Sequence, residues 1–306
     1  MRLVFAGTPE AAVPSLRRLA ASGHEIVAVV TRPDALLGRR RTVTPSPVAV
    51  AASELRLPVL KAARLDDEVT ATLQPRHPDL GVVVAYGGLV REPLLSAPEH
   101  GWVNLHFSLL PRWRGAAPVQ HALIAGDEQT GACVFRLVPE LDAGDILGEL
   151  RYDVPGQATA GDVLDALAHR GAYLLADVVT AIAEGTARAT PQTGEPTFAP
   201  KLGLSDGRLR WDEPAERVLS RWRGTTPEPG AFTTVGGVRL KVLLLRPAER
   251  EVRLAAGRIA EDGRDLLIGT ATEPLLLERV QPAGKATMPA RDWWRGLRID
   301  EPVADS

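Results

Sequence analysis

The first half of the sequence alternates short apolar runs with longer segments that carry helix signals, and this order constrains the fold most strongly. The apolar runs are typical of buried strands and lie at 2–7, 24–31, 57–60, 79–86 and 101–107. The intervening segments, at roughly 10–21, 46–56, 66–75 and 117–126, are typical of helices. Strands that alternate with helices favour a parallel sheet covered on both faces. We therefore predict an α/β fold: a Rossmann-like, doubly wound, mostly parallel sheet.

The composition of the sequence changes after a long helical segment at roughly 160–184. Residues 186–207 are rich in Pro, Gly and Thr, as linkers often are. Beyond them, short apolar runs separated by turn signals predict a small β-barrel. We expect an N-terminal domain at 1–185, a linker at 186–207 and a C-terminal β-barrel domain at 208–306.

Composition and charge narrow the possible functions. No window holds eighteen or more uncharged apolar residues, so we expect no transmembrane helix, and the N-terminal run lacks signal-peptide features. The single cysteine, Cys133, excludes an internal disulfide and a cysteine-based zinc site. The net charge of −2 is not that of a bulk nucleic-acid binder, so any such contact must be local. We expect a cytoplasmic protein with no membrane association.

Two polar residues end the apolar run at 101–107. Asn104 and His106 are two positions apart, so their side chains point to the same face of a strand. The carboxyl ends of strands are where doubly wound sheets place ligands. An amide and a protonated imidazole could both donate to a carbonyl oxygen that becomes negative during acyl transfer. The alternative is that Asn104 merely ends a strand and His106 is a core histidine with its hydrogen bonds satisfied.

A candidate third group lies in the turn "VPELDAGDIL" at 138–147, which carries Asp142 and Asp145. A carboxylate close to His106 would favour the charged imidazole and could move protons. Turns also carry Asp for purely local reasons. Other chemistries lack their motifs: there is no G-x-S-x-G elbow, no metal-ligand spacing of the histidines, no G-x-G-x-x-G and no phosphate-binding loop.

Longer stretches resemble a known family. "VNLHFSLLPRWRGAAPVQHALIAGD" and "ELDAGDIL" are similar to the 10-formyltetrahydrofolate-dependent formyltransferases. "FAGTPE", "FAPKLGLSDGRLRWDEPA" and "VQPAGKATMPARDWWRG" resemble the members that formylate methionyl-tRNA. The resemblance covers nearly the whole chain. It implies that residues 1–185 form a folate-binding, catalytic domain and that residues 208–306 form an OB-like, tRNA-binding barrel.

The resemblance implies a reaction and its residues. A formyl group would move from N10 of the folate to a primary amine, with no metal. Asn104, His106 and Asp142 would be catalytic: the first two would stabilise the oxyanion, while Asp142 would keep His106 charged and accept the proton of the amine. The folate-binding turn maps to Ser108, Leu109, Leu110 and Pro111.

The sequence departs from the family pattern at two places. Glu140 stands where the family usually has glycine, two residues before Asp142, and could alter the loop that carries this aspartate. Gly87-Gly88 stands where the family has an apolar run and could alter one wall of the folate pocket. Asp145 matches the second aspartate of the motif, and we assign it a structural role.

The choice of amine depends on regions outside the catalytic trio. The loop 31–47 carries Arg39, Arg40 and Arg41, and in the resembled family it contacts the acceptor stem of the tRNA. Residues 208–306 hold 17 Lys and Arg against 15 Asp and Glu, whereas residues 1–207 hold 19 against 23. This basic shift fits a tRNA platform. We expect initiator methionyl-tRNA as partner, and a monomer with no obligate protein partner. An amino-sugar-nucleotide formyltransferase and a non-catalytic folate- or RNA-binding protein of the same fold are the alternatives.

Overall fold

The structure, a computed structural model, describes residues 1–37, 42–248, 252–297 and 302–305. The chain divides into two compact units. The first comprises Met1–Pro118, Gln129–Asp153 and Leu164–Ala199, and the second comprises Val119–Glu128, Val154–Val163 and Pro200–Ser306.

The strands up to residue 199 include every strand predicted for the parallel sheet. In chain order they are β1 (Arg2–Gly7), β2 (Glu25–Thr31), β3 (Ala35–Leu37), β4 (Thr42–Thr44), β5 (Val59–Lys61), β6 (Leu80–Val84), β7 (Trp102–His106), β8 (Arg114–Gly115), β9 (Gln129–Arg136), β10 (Ile146–Asp153) and β11 (Phe198–Ala199).

The helices of the same region alternate with these strands. They are α1 (Val13–Ala20), α2 (Pro47–Glu54), α3 (Asp67–Leu73), α4 (Pro118–Ala125) and α5 (Ala160–Ala183). Ser46 begins α2, since its hydroxyl accepts a hydrogen bond from the Ala49 backbone N–H at 3.0 Å. Asp66 begins α3 in the same way.

Seven of the strands form one twisted sheet in the order β10-β9-β7-β6-β1-β2-β5. The five strands from β7 to β5 are parallel, and β9 and β10 add an antiparallel edge. The chain runs from β1 outwards to β2 and β5 and then returns to β6 on the other side of β1. The sheet therefore has a topological switch point between β1 and β6 and confirms the predicted doubly wound fold.

Alternation along β7 directs its side chains to two faces of the sheet. Trp102 belongs to the apolar cluster that also contains Val69 and Leu73 of α3. Leu105 points to the other face, where its Cδ1 and Cδ2 would lie 3.1 Å from a Cβ added at Gly171 of α5. Asn104 and His106 share the face of Trp102, beyond its ring towards the carboxyl end of the strand.

The loop after β2 contains a short hairpin. Strands β3 and β4 pair antiparallel, with Leu36 opposite Val43. Both of these apolar side chains are exposed, at 52% and 63%. The predicted tRNA-contacting residues Arg39, Arg40 and Arg41 lie outside the described residues.

The segment predicted as a linker is partly ordered against the first unit. Strand β11 pairs in parallel with β8, and Thr190 pairs with Ile146 at the start of β10. The residues from 190 to 199 therefore lie along the loops that follow β7 and β9. We name this segment, residues 190–199, the strap.

The part of the second unit beyond residue 199 forms a small antiparallel barrel. Its elements are α6 (Ala215–Gly224), β12 (Phe232–Val235), β13 (Val238–Pro247), β14 (Ile259–Asp262), β15 (Asp265–Ile268), β16 (Leu275–Pro282), β17 (Met288–Pro289), α7 (Ala290–Arg295) and β18 (Ala304–Asp305).

The barrel closes through its last strand. Ala304 and Asp305 pair with β12 on one side, and on the other side the Ile259 N–H donates to the Pro302 carbonyl at 3.2 Å. The core contains the fully buried Trp211, whose Nε1–H donates to Thr233 Oγ1 at 3.0 Å. The predicted C-terminal β-barrel is thus confirmed. Within the described chain, no helix is both long and apolar enough to span a bilayer.

The packing of β6 against β7 yields a stability prediction. A Cβ atom at Gly81 would lie 2.1 Å from Cδ2 of the buried Trp102 ring. We therefore expect Gly81→Ala to destabilise the protein by about 1–3 kcal/mol, as overpacking does. The measurement is the urea midpoint of unfolding. Gly23→Ala is the matched control, because nothing lies within 4 Å of its added Cβ. Equal midpoints for the two variants would contradict the packing described.

Candidate active site

The ring of His106 is buried at the end of β7 and is oriented by a backbone carbonyl. Its Nε2–H donates to the Trp113 carbonyl oxygen at 2.9 Å. The ring also packs edge to face against Phe135 of β9, with ring centroids 6.3 Å apart. Because Nε2 carries the proton of this hydrogen bond, Nδ1 is the nitrogen left for chemistry.

Asp142 faces that free nitrogen. Its Oδ2 lies 3.8 Å from His106 Nδ1, just beyond hydrogen-bond length, and the two side chains are 11% and 5% exposed. Burial is the largest influence and lowers the pKa of His106, while the Asp142 carboxylate and the Trp113 carbonyl act to raise it. Burial therefore favours the neutral form of the imidazole. This direction is opposite to the charged imidazole expected from the sequence, because burying a cation is costly.

The Asn104 side chain lies on the same face of β7 and is half-buried. Its backbone is fixed between Val83 of β6 and Phe135 of β9. Among the described residues, nothing hydrogen-bonds to its side-chain amide. The amide N–H groups are therefore available to an incoming acceptor.

The Asp142 carboxylate is held by a backbone donor. The N–H of Gly115 donates to Oδ2 at 2.7 Å. The backbone of Asp142 is left-handed, with φ of 47°, a conformation that Asp adopts more readily than most residues. Trp113, whose carbonyl orients His106, also has a left-handed φ of 62°. Residues 113–115 thus hold both His106 and Asp142.

Sequence reasoning missed the groups that hold residues 113–115. The Trp113 N–H donates to Thr197 Oγ1 at 2.9 Å, and Arg114 N–H donates to the Thr197 carbonyl at 2.8 Å. Gln192 contacts both the buried Arg114 side chain and the turn of Asp142. All of these partners come from the strap, which composition alone presented as a linker.

The predicted folate turn follows His106 directly. Ser108 is fully buried, and its hydroxyl donates to the Arg112 carbonyl at 2.6 Å. Leu110 is also buried and packs on Cys133 and Phe135. Leu109 and Pro111 are half-buried. The turn therefore uses two of its four side chains for its own structure.

The two departures from the family pattern have structural partners. The Glu140 carboxylate is 77% exposed and lies 3.4 Å from Nη1 of the buried Arg114. The Gly87 carbonyl accepts a hydrogen bond from Arg32, whose guanidinium also donates to the Ala63 carbonyl at 2.8 Å. Arg32 thus ties together the loops at the carboxyl edge of the sheet and is engaged within the protein.

Asp145 differs from Asp142 in its surroundings. Its backbone carbonyl accepts from the Arg136 N–H at 3.0 Å. Its side chain is exposed, and the structure gives its carboxylate no hydrogen-bond partner among the described residues. Any structural role of Asp145 therefore lies in its backbone. No three His, Cys, Asp or Glu side chains cluster as metal ligands within the described ranges.

The arrangement can perform acyl transfer without covalent catalysis. A free amide donor, a neutral imidazole nitrogen and a buried carboxylate meet at the carboxyl end of one strand. Such a set can stabilise a negative oxygen and can accept and return one proton.

Comparison with known proteins agrees with this chemistry. The family model "Formyl transferase" matches residues 1–179, and "Formyl transferase, C-terminal domain" matches residues 201–298. The methionyl-tRNA formyltransferase of Leifsonia xyli subsp. xyli is 61% identical over 296 residues, which cover 97% of each chain.

Solved structures share the fold at low identity. WlaRD, a sugar 3N-formyl transferase solved with dTDP and 5-N-formyl-THF, gives a TM-score of 0.68 at 13% identity and covers 94% of this chain and 99% of its own. HypX from Aquifex aeolicus in complex with tetrahydrofolic acid gives 0.65 at 17% identity, over 99% of this chain and 50% of its own. The two family models together span most of the sequence, and the full-length similarity to the Leifsonia enzyme is far above chance: the chain belongs to the formyl transferase family.

Proposed function

We propose that the protein transfers a formyl group from 10-formyltetrahydrofolate to the amino group of initiator methionyl-tRNA. The observation that carries the proposal is the constellation of Asn104, His106 and Asp142 beside the 108–111 turn. A full-length relative at 61% identity is a methionyl-tRNA formyltransferase. The sugar formyltransferases share the fold at 13% identity, which supports no choice of substrate. A translation substrate would place the protein in the cytoplasm.

The residues at the site fit a folate co-substrate. The half-buried Leu109 and Pro111 offer apolar surface, and the Asn104 amide is free to donate. We infer that Ser108, Leu109, Leu110 and Pro111 form the wall against which the pterin rests. When bound, the folate would supply a formyl group already activated by its nitrogen, so no metal is required.

Asn104 and His106 would divide the chemistry between them. The Asn104 N–H would donate to the formyl oxygen as that oxygen gains negative charge. His106 Nδ1, neutral at rest, would accept the proton that the attacking amine loses as the new C–N bond forms. The buried Asp142 would stabilise the imidazolium for as long as it exists. The proton would then pass from Nδ1 to the nitrogen that leaves.

The tRNA contact would come from the hairpin loop and the second unit. Arg32 and Asp34 are engaged within the protein, Asp34 through an ion pair with Lys61 at 2.7 Å. The charges of the loop that could meet phosphates are therefore those of Arg39, Arg40 and Arg41. The net charge of residues 208–306, +2 from 17 Lys and Arg against 15 Asp and Glu, favours the same partner.

The proposal is tested with radiolabelled 10-formyltetrahydrofolate and a panel of amines: methionyl-tRNA, an amino-sugar nucleotide and glycinamide ribonucleotide. We expect label to appear on methionyl-tRNA with a kcat/KM at least about a hundredfold above the others, because transition-state contacts are made only with the correct acceptor. Transfer to the sugar nucleotide alone would refute the tRNA assignment.

Asn104→Ala should lower kcat by about 10²–10³ with little change in KM, as loss of one oxyanion donor does.

Replacement of Asp142 tests the proton transfer. His106 accepts a proton only when neutral, so wild-type activity should fall as the pH drops through its pKa. Asp142→Asn removes the carboxylate that raises this pKa, so the acid limb should move to lower pH. At neutral pH, kcat should fall by about 10²–10⁴ because the imidazolium loses its counter-charge. The control is Asp145→Asn, the same change in the same turn, and it should leave both kcat and pH profile unchanged. Equal loss in both variants would refute the role given to Asp142.

Salt dependence tests the arginines of the loop. Replacing Arg39, Arg40 and Arg41 by Ala should raise KM for methionyl-tRNA and leave the affinity for folate unchanged. Three lost phosphate contacts should make the slope of log K against log[salt] shallower by about 2–3. Replacing the exposed Arg17, Arg18 and Arg170 removes the same charge elsewhere and is the matched control. An unchanged slope in the loop variant would remove the loop from the tRNA interface.

A further inference from the structure

The side-chain amide of Gln192, in the strap, makes four hydrogen bonds close to His106 and Asp142. Its Nε2 donates to the carbonyl oxygens of Asp142 at 2.8 Å and of Gly144 at 2.9 Å. Its Oε1 accepts from Arg114 Nη2 at 2.7 Å and from Arg114 Nε at 3.2 Å. A primary amide offers two N–H donors and one oxygen with two lone pairs, so every position is used.

Gln192 hydrogen-bonds to the turn at residues 142–144, which has an unusual backbone conformation. Asp142 is left-handed, with φ of 47°. A Cβ at Gly144 would lie 1.8 Å from the Arg136 carbonyl, so the backbone packs there at the closest possible approach. Such conformations persist when surrounding structure fixes them. The two N–H groups of Gln192 tie down both ends of this turn.

The other end of the Gln192 amide reaches the residues that hold His106 and Asp142. Arg114 is 8% exposed and lies between Trp113, whose carbonyl orients His106, and Gly115, whose N–H holds the Asp142 carboxylate. The contacts therefore close a ring: Gln192 to Arg114, Gly115 to the Asp142 carboxylate, and the Asp142 carbonyl back to Gln192.

The neutral charge of the Gln192 side chain matters as well as its hydrogen bonds. The titratable groups around His106 are Asp142 at 3.8 Å, the Arg114–Glu140 pair and Cys133, which is paired with His106 across β7 and β9. Burial raises the pKa of Cys133 to about 12, so this thiol is neutral. As a neutral acceptor, Gln192 satisfies Arg114 without adding a second buried carboxylate beside Asp142.

We propose that Gln192 is a positioning residue, which holds the Asp142 carboxylate in place beside His106. This inference rests on the proposed function for its kinetic consequence. Its geometric consequence, the distance from the carboxylate to the imidazole, exists in the unliganded protein as well.

The test is Gln192→Met, which keeps length and removes every hydrogen bond. We expect kcat to fall by about tenfold to a hundredfold, as a small misplacement of a catalytic group does, with KM for folate and tRNA within twofold. In the unliganded protein, the pKa of His106 measured by NMR should fall, since a displaced carboxylate raises it less. A merely structural role would lower the melting temperature and move neither readout, and that result would overturn the proposal.

Gln129→Met is the matched control. Gln129 also donates to a neighbour, Asp153 at 2.8 Å, and accepts from an arginine, Arg151 at 3.3 Å, but at the far end of β9 and β10. It should leave kcat and the His106 titration unchanged. If Gln192→Met does not fold, Gln192→Glu replaces it in the kinetic assay, because it keeps the acceptor for Arg114 and loses both donors to the turn. A kcat within twofold of wild type would then refute the proposal.

The experiments distinguish failure of the proposed function from failure of the positioning role of Gln192. A wild-type protein that formylates none of the amines refutes the proposed function. The His106 titration in Gln192→Met still decides whether Gln192 places the carboxylate, because this measurement needs no substrate.

Discussion

The hydrogen bond from His106 Nε2 to the Trp113 carbonyl determines the chemistry of the site. It fixes the tautomer, turns Nδ1 towards Asp142 and leaves that nitrogen without a proton. The same tripeptide supplies the Gly115 N–H that holds the carboxylate, so the two titrating groups are held by one piece of backbone. A change in the path of residues 113–115 would therefore displace both groups together. Residues 113–115 are in turn held by several hydrogen bonds to the strap.

The secondary structure of the first unit was predictable because its strands are continuous apolar runs bounded by turns. β1 matches the predicted 2–7, and β7 at Trp102–His106 matches 101–107 to within one residue. The shared face of Asn104 and His106 followed from the two-residue period of side chains along a strand, which is a local rule. The barrel was equally readable from short apolar runs separated by turn signals, although its closure through residues 302–305 depends on pairings far apart in the chain.

The tautomer of His106 and the direction of its pKa shift could not be read from the sequence. They depend on the left-handed backbone of Trp113 and on full burial of the ring, which are properties of the folded chain. The strap was hidden for a related reason: Pro, Gly and Thr signal an irregular path and carry no information about what the path contacts. Gln192 has no periodicity and no motif around it, and only its contacts with Arg114 and with the Asp142 turn reveal its position.

The pairing of β8 with β11 has a consequence for the order of events during synthesis. Trp113 and Thr197, which meet beside these strands, are 84 residues apart along the chain. All seven strands of the large sheet lie before residue 154, and helix α5, which contacts the face of Leu105, ends at residue 183. Both therefore leave the ribosome before the strap does. Only when residue 199 has emerged can residues 113–115 receive their last partners. A nascent chain that ends before the strap thus contains every strand of the large sheet and lacks the partners that hold residues 113–115.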